Sequence, residues 1–287
     1  MGQDAVTESS VTSSISKPEL YGSGKDSLAE MLRELWEYRE LFYFLAWRDV
    51  KVRYKQSVLG IAWAVLVPFL TMVVFTLLFG RLANIPTDGI PGPVFYFSAL
   101  LPWTYFSQTV SNAGMSLISN HALMTKIYFP RIILPAAVAL GNLVDFIIGS
   151  LFLAGFIAYY DLSISWNLLL WPILVLPLSL LALSIGMYLA AVNVKYRDIK
   201  YVIPFLIQMG LFITPIIYPV SSIPERYQWL LALNPMTGLI ETFRWSLVPS
   251  LPMRWDVLGI SLVMTLVLFA ASLGFFKRAQ KAFADIV

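Results

Sequence analysis

Residues 168–192 read LLLWPILVLPLSLLALSIGMYLAAV, a run without a single charged side chain. The hydrocarbon core of a bilayer is about 30 Å thick, and a helix rising 1.5 Å per residue needs about 20 apolar residues to cross it. This run meets that length, so lipid rather than water is its natural solvent. On either side of it lie five more runs of the same kind, at 58–80, 94–114, 132–158, 201–219 and 257–276. The 132–158 run is interrupted by one carboxylate, Asp145, and the 201–219 run is the shortest. The expected fold is therefore an all-α polytopic membrane protein with six transmembrane helices.

Composition agrees. Of 287 residues, 58% are hydrophobic and 13% charged, against about 25% charged in soluble domains. The chain has no cysteine and one histidine, His121, which leaves no disulfide framework, no zinc cluster and no Ser-His-Asp triad. No catalytic residue and no metal site are expected. Orientation follows from the 20 Lys and Arg, because basic loops stay on the cytoplasmic side. With the N-terminus inside, only Arg81, Arg226, Arg244 and Arg254 fall outside. Both termini are thus expected in the cytoplasm.

Before the first run the chain divides into two parts. Residues 1–27 are polar and rich in Ser and Thr, with no apolar stretch that would serve as a signal peptide, and read as a disordered tail. Within them Gly22-Ser-Gly-Lys25 has the look of a phosphate-binding loop, but that pattern needs Gly at 19 and Ser or Thr at 26, where Glu19 and Asp26 stand. Nucleotide, if used, binds to another chain. Residues 28–56 place Leu28, Leu32, Leu35, Phe42, Trp47 and Val50 at helical spacing, with Glu30, Glu34 and Glu37 opposite. They end in the basic run Arg48, Lys51, Arg53 and Lys55. An amphipathic helix lying in the cytoplasmic interface is expected, either as a generic anchor or as a headgroup contact. Residues 57–287 hold the six spans.

The segment between the fifth and sixth spans is too polar and too short to cross twice. Residues 220–256 contain Trp229 to Leu233, then Asn234-Pro235, then an apolar stretch interrupted by Glu241 and Arg244. Two half-inserted outer helices lining a cavity would keep this backbone satisfied. Inside the spans, Asp145 is the one ionisable group, on a stripe with Ala137, Gly141 and Gly149 that lets helices approach closely. It reads either as a carboxylate bonded within the bundle or as part of a transport path. Ala182, Gly186 and Ala190 form a second such stripe. Phe95, Tyr96, Phe97, Trp103, Tyr105 and Phe106 crowd one end of the second run, either as an interfacial belt or as a surface on which sugar rings stack.

The run Arg48-Asp49-Val-Lys-Val-Arg53-Tyr54-Lys-Gln-Ser-Val-Leu59-Gly60-Ile-Ala-Trp63 through Pro68 resembles the opening of permease subunits of ABC-2 type polysaccharide and polyol-phosphate exporters, which move O-antigen, capsule or teichoic acid. Three further stretches match in order: Lys126-Ile-Tyr-Phe-Pro130 through Pro135, Tyr196-Arg197-Asp198 continuing to Thr214-Pro215-Ile-Ile-Tyr218-Pro219, and Asn234-Pro235 followed by Arg244. The resemblance covers roughly residues 30–280. It implies a half-transporter: two copies pair, each with a separate ATP-binding subunit that carries MgATP, and a lipid-linked glycan passes between them. This chain itself would bind no cofactor and no nucleic acid, and the location implied is the bacterial inner (cytoplasmic) membrane.

The resemblance also implies a short coupling helix within residues 116–131, including Asn120, Leu123 and Lys126, and places an outer re-entrant pair at 225–250. Candidates for a lipid pyrophosphate headgroup are Arg48, Arg53, Lys55 and Arg197, since guanidinium offers a bidentate fork. Positive-inside topology alone would also explain each of these cations. Trp63, Phe69, Tyr96, Trp103 and Tyr218 are candidates for the polymer path. Two other functions remain open at this point. One is an ABC-2 permease for drugs or small amphipathic cargo, and the other a membrane-embedded transferase acting on lipid-linked sugars.

Overall fold

The computed structural model describes residues 33–34, 36–55, 60–163, 165–196, 198–248 and 253–283. The polar tail at 1–27, the first turn of the amphipathic segment and Arg197 lie outside the described residues. Among those described, all regular structure is helical. In chain order the helices are α1 (Arg39–Lys55), α2 (Ala62–Phe75, continued by a π-helical turn Thr76–Leu82), α3 (Gly92–Ser119), α4 (His121–Met124) and α5 (Ile133–Tyr159). There follow α6 (Leu170–Lys195, entered through a 3₁₀ turn Trp166–Leu169), α7 (Ile199–Ile213), α8 (Glu225–Ala232), α9 (Pro235–Leu247) and α10 (Trp255–Phe283).

Four of these are long and apolar enough to cross a membrane: α2 with its π turn, α5, α6 with its 3₁₀ turn, and α10. The run expected at 94–114 forms α3, which at 28 residues is long enough but more polar, carrying Ser98, Thr104, Ser107, Gln108, Thr109 and Asn112. Its solvent explains this. It lies at the centre of the bundle, packed mainly on α6 and α5, so protein groups meet its polar side chains. Asn142 of α5 donates to Thr109 Oγ1 at 3.1 Å, the Tyr105 hydroxyl meets Ser179 Oγ at 2.7 Å, and Asn193 of α6 donates to the Gly114 carbonyl at 3.0 Å. The run expected at 201–219 forms α7, whose 15 residues span about 22 Å at 1.5 Å each. It falls short of the bilayer core and stops at Thr214-Pro215.

Two apolar cores organise the bundle. One surrounds the first two-thirds of α3, with Tyr96, Phe97, Leu178, Leu181, Leu239 and Phe243 at its centre. The second gathers Leu45 and Ala46 of α1, Leu117, Phe129, Ile133, Met187, Leu273 and Phe276. It joins the ends of α3, α6 and α10 to the start of α5. That end of the bundle also bears Lys51, Lys126, Lys195 and Lys277, and we refer to it as the basic end.

In lipid, apolar burial offers little gain between helices, so close van der Waals packing by small residues holds them together. The two small-residue stripes lie at such contacts. A Cβ added at Gly186 of α6 would come within 2.7 Å of the Ala113 Cβ of α3, and one added at Gly141 of α5 would lie 3.4 Å from the Ala46 carbonyl oxygen of α1. The tightest approach to backbone joins α9 to α10: a Cβ at Gly238 would lie 2.6 Å from the Val257 carbonyl oxygen and 2.9 Å from its carbon. Backbone cannot yield there as a flexible side chain would. Gly238→Ala should therefore destabilise the detergent-solubilised protein by about 1–3 kcal/mol, the usual cost of overpacking. Gly259→Ala, with nothing within 4 Å, should leave thermal stability unchanged or slightly raised. Equal melting points for the two variants would show that α9 and α10 do not pack as described.

Candidate functional site

Polar groups inside an apolar bundle must find partners, because an unpaired one costs several kcal/mol. Tracing those partners leads to three places. The first is at the C-terminal end of α1. Arg53 pairs with Asp145 of α5 and donates to Asn142 Oδ1 at 2.6 Å, and the Tyr54 hydroxyl donates to Asp145. Asn142 passes the network on to Thr109 of α3. The Asp145 side chain is 13% exposed and that of Arg53 30%. Burial, and after it the hydrogen bond to Asp145, push the Tyr54 phenol up to about 12, so it remains a donor at any physiological pH.

Asp145 stands 12 positions beyond Ile133 in α5, about 18 Å along its axis. The end of α1 reaches that far, because Gly141 leaves room for the α1 backbone beside Ala46. Helix α1, expected from sequence at the cytoplasmic interface with Arg48, Arg53 and Lys55 as headgroup candidates, packs along α5. The cations diverge accordingly: Arg53 points inward, Lys55 is exposed, and Arg48 bonds Asp49 at 2.8 Å and Asn120 Oδ1 at 2.9 Å. Asn120 links α3 to α4, and its own amide donates to the Ser116 carbonyl at 2.9 Å. Leu123 packs against the basic-end core. Lys126, Ile127 and Tyr128 project from the surface after α4.

Beside the Arg53–Asp145 pair opens a cavity of 320 Å³ between α1, α2, α3 and α5. Its polar wall is Arg53, Tyr54, Asp145 and Gln108, and Trp63 forms part of the apolar wall. The other path candidates are dispersed. Phe69 contacts Phe152 and Phe156 edge-on and stacked, with centroids 5.7 and 6.4 Å away. Tyr96 is 0% and Trp103 5% exposed, with Trp103 against Gly210 of α7 and Phe106. The Tyr218 hydroxyl donates to the carbonyls of Ile213 and Phe212 at 3.1 and 3.4 Å, closing the end of α7.

The second place is that end of α7. Arg244, 4% exposed, donates to the carbonyls of Pro215 at 2.6 Å and Ile216 at 2.7 Å, and its Nε to that of Phe95 at 3.4 Å. Its guanidinium lies 3.7 Å from the centroid of the Phe95 ring. Asn234 caps α9 by accepting from the Met236 amide, and its own amide donates to Thr214 Oγ1 at 2.9 Å. The motif residues Thr214, Pro215, Asn234 and Arg244 thus meet in space. The Lys and Arg count places Arg244 only on the outer side of the membrane and assigns it no partner. The signal that could have revealed it is a lone arginine three positions after Glu241 in an otherwise apolar helix, combined with a Thr-Pro break that leaves carbonyls without donors.

The third place is a cleft of 580 Å³ at the end of the bundle opposite the basic end, bounded by the turn before α3, residues 219–225, α8, α9 and the start of α10. Asp88 accepts from Ser221 at 2.8 Å, and Arg254 donates to Gln228 at 2.8 Å. Among the described residues no group of His, Cys, Asp and Glu is arranged to hold a metal ion.

The ABC-2 type transporter family matches residues 40–248. The chain is 32% identical over 264 residues to an O-antigen export system permease protein RfbA of Myxococcus xanthus, covering 91% of this chain and 100% of that protein. It is 26% identical to a protein of the same name from Klebsiella pneumoniae, over 86% of this chain and 95% of the relative. A polysialic acid transport protein KpsM of Escherichia coli is 25% identical, over 82% and 92%.

The Arg53–Asp145 pair yields a test of the first site. Asp145→Asn leaves a half-buried guanidinium without its counter-charge, and Arg53→Gln does the reverse, so each should lower the melting point. The double variant should recover part of the loss, with a coupling energy of about 0.5–3 kcal/mol. Strictly additive losses would mean that the two side chains do not interact.

Proposed function

The chain belongs to the ABC-2 type transporter family, and from that premise we propose that it is the membrane subunit of a polysaccharide exporter. It moves a lipid-linked glycan out of the cytoplasm while a separate subunit hydrolyses ATP. The observation that carries this reading is the extent of the match: the M. xanthus permease aligns over all of its own length, at 32% identity.

In this reading α3 and α7 join the four long apolar helices as spans, with α7 extended by Thr214–Pro219, and α8 and α9 are half-inserted. The termini lie in the cytoplasm with the basic end. Two copies pair through α2 and α7, the helices with the least protein cover: Val67, Leu70 and Val74 of α2 and Phe205, Met209 and Phe212 of α7 are all largely exposed. A hydrated glycan cannot cross hydrocarbon, so a polar path between such faces is required.

The ATP-binding subunit would dock on α4 and the residues after it, where Lys126, Ile127 and Tyr128 stand clear of the fold. From there Asn120 and Leu123 lead into the bundle, Asn120 through Arg48 to α1 and Leu123 through the basic-end core. ATP-driven movement at α4 is thereby linked to the Arg53–Asp145 pair. For the lipid pyrophosphate, Lys55 and Arg48 are the more accessible of the described cations, since Arg53 faces Asp145. The test is genetic and chemical. Deleting the gene should abolish the surface glycan and leave lipid-linked polymer inside the cell, and the wild-type gene should restore export. A surface glycan that persists in the deletion strain would refute the reading.

A further inference from the structure

The cleft at the end opposite the basic end has a chemical character that the family match does not assign. Its polar wall sets acceptors beside a donor: the carboxylates of Asp88 and Glu241 and the guanidinium of Arg254. The indole of Trp245 supplies an apolar face. Glu241 Oε2 is buried and accepts no hydrogen bond among the described residues. A buried acceptor of this kind calls for a donor, and a hydroxyl group is one. A ligand that gives hydrogen bonds to carboxylates, takes one from a guanidinium, and offers a C–H face to an indole is a sugar ring. The 580 Å³ of the cleft lies within the roughly 300–1,000 Å³ of small-ligand sites, enough for a short piece of glycan.

The charges set a further condition. Asp88, Glu225 and Glu241 all line the cleft. Of its two arginines, Arg244 directs its donors at the carbonyls of Pro215, Ile216 and Phe95. Arg254 is bonded to Gln228 and to Asp256. An incoming anion would face three carboxylates against two arginines, one of which, Arg244, is turned away to backbone carbonyls, a net negative wall that disfavours it by like-charge repulsion.

We propose that this cleft is a subsite for uncharged sugar units of the exported glycan, and that it disfavours units bearing carboxylate or phosphate. The inference rests on the export reading and deepens it by naming the class of polymer. It would separate this chain from relatives such as the polysialic acid transport protein, whose cargo is acidic by name.

Two measurements test it. The first is chemical analysis of the surface glycan lost when the gene is deleted, whose repeat units should carry no carboxylate or phosphate; an acidic repeat would overturn the proposal. The second uses the complete complex in lipid nanodiscs, probed by saturation-transfer NMR with oligosaccharides cut from that glycan and with a tetramer of sialic acid. The neutral fragments should bind and the sialic acid tetramer should not. Glu241→Gln and the exposed-site variant Asp88→Asn should each weaken the neutral fragments about tenfold, as loss of one hydrogen bond to a charged group does. Fragments that fail to bind, bind equally to both variants, or bind no better than sialic acid would overturn the proposal. Failure of the export reading looks different: the surface glycan would then survive deletion of the gene, whatever the cleft binds.

Discussion

A transmembrane bundle has no water with which to satisfy a broken helix, and the end of α7 is such a break. Helix α7 ends at Ile213, two residues before Pro215, and the turn that follows presents the Pro215 and Ile216 carbonyls to the protein interior. Arg244 meets them: one guanidinium reaches Pro215 and Ile216, touches the Phe95 carbonyl and lies over the Phe95 ring. Those contacts tie the end of α7, the start of α3 and the whole of α9 into one corner. Asn234 adds to it by capping α9 and reaching Thr214. With that corner fixed, α9 can lie against α10 at Gly238 and the cleft lined by Glu241 and Trp245 has its walls.

The basic end follows the same rule with a different solution. Asp145 is a costly residue in an apolar span, and α1 answers it by inserting Arg53 and Tyr54. The same helix holds Asn120 through Arg48. A single rigid element thus touches both the short helix α4 and the polar cluster in the bundle's interior. Movement imposed on α4 cannot leave the Arg53–Asp145 contact unaffected unless Arg48 releases Asn120.

Much of this was legible in the residue order. Length and apolarity locate α2, α5, α6 and α10, and the small-residue stripes at Gly141 and Gly186 lie where helices meet. Asn234-Pro235 announces the start of α9 through its cap and its missing amide. What escaped was direction. A count of Lys and Arg assigns charge to one side of a membrane, but it does not say that Arg244 turns inward to carbonyls or Arg53 to Asp145. The aromatics of α3 escaped for a related reason. Tyr96 and Trp103 have the composition of an interfacial belt, yet α3 is the central helix and its rings fill the core. Periodicity places a side chain on a face, and only tertiary packing decides what that face meets.

The contact on which this account depends is the fork from Arg244 to the end of α7, and thermal unfolding of detergent-solubilised variants tests it most directly. Arg244→Met should lower the melting point sharply, because two buried carbonyls lose their donors at about 1–3 kcal/mol each. Arg244→Lys should fall between the two, since an ammonium cannot serve both in a planar fork. Arg226→Met, at an exposed position, should behave as wild type. An Arg244→Met protein that melts with the wild type would contradict the account.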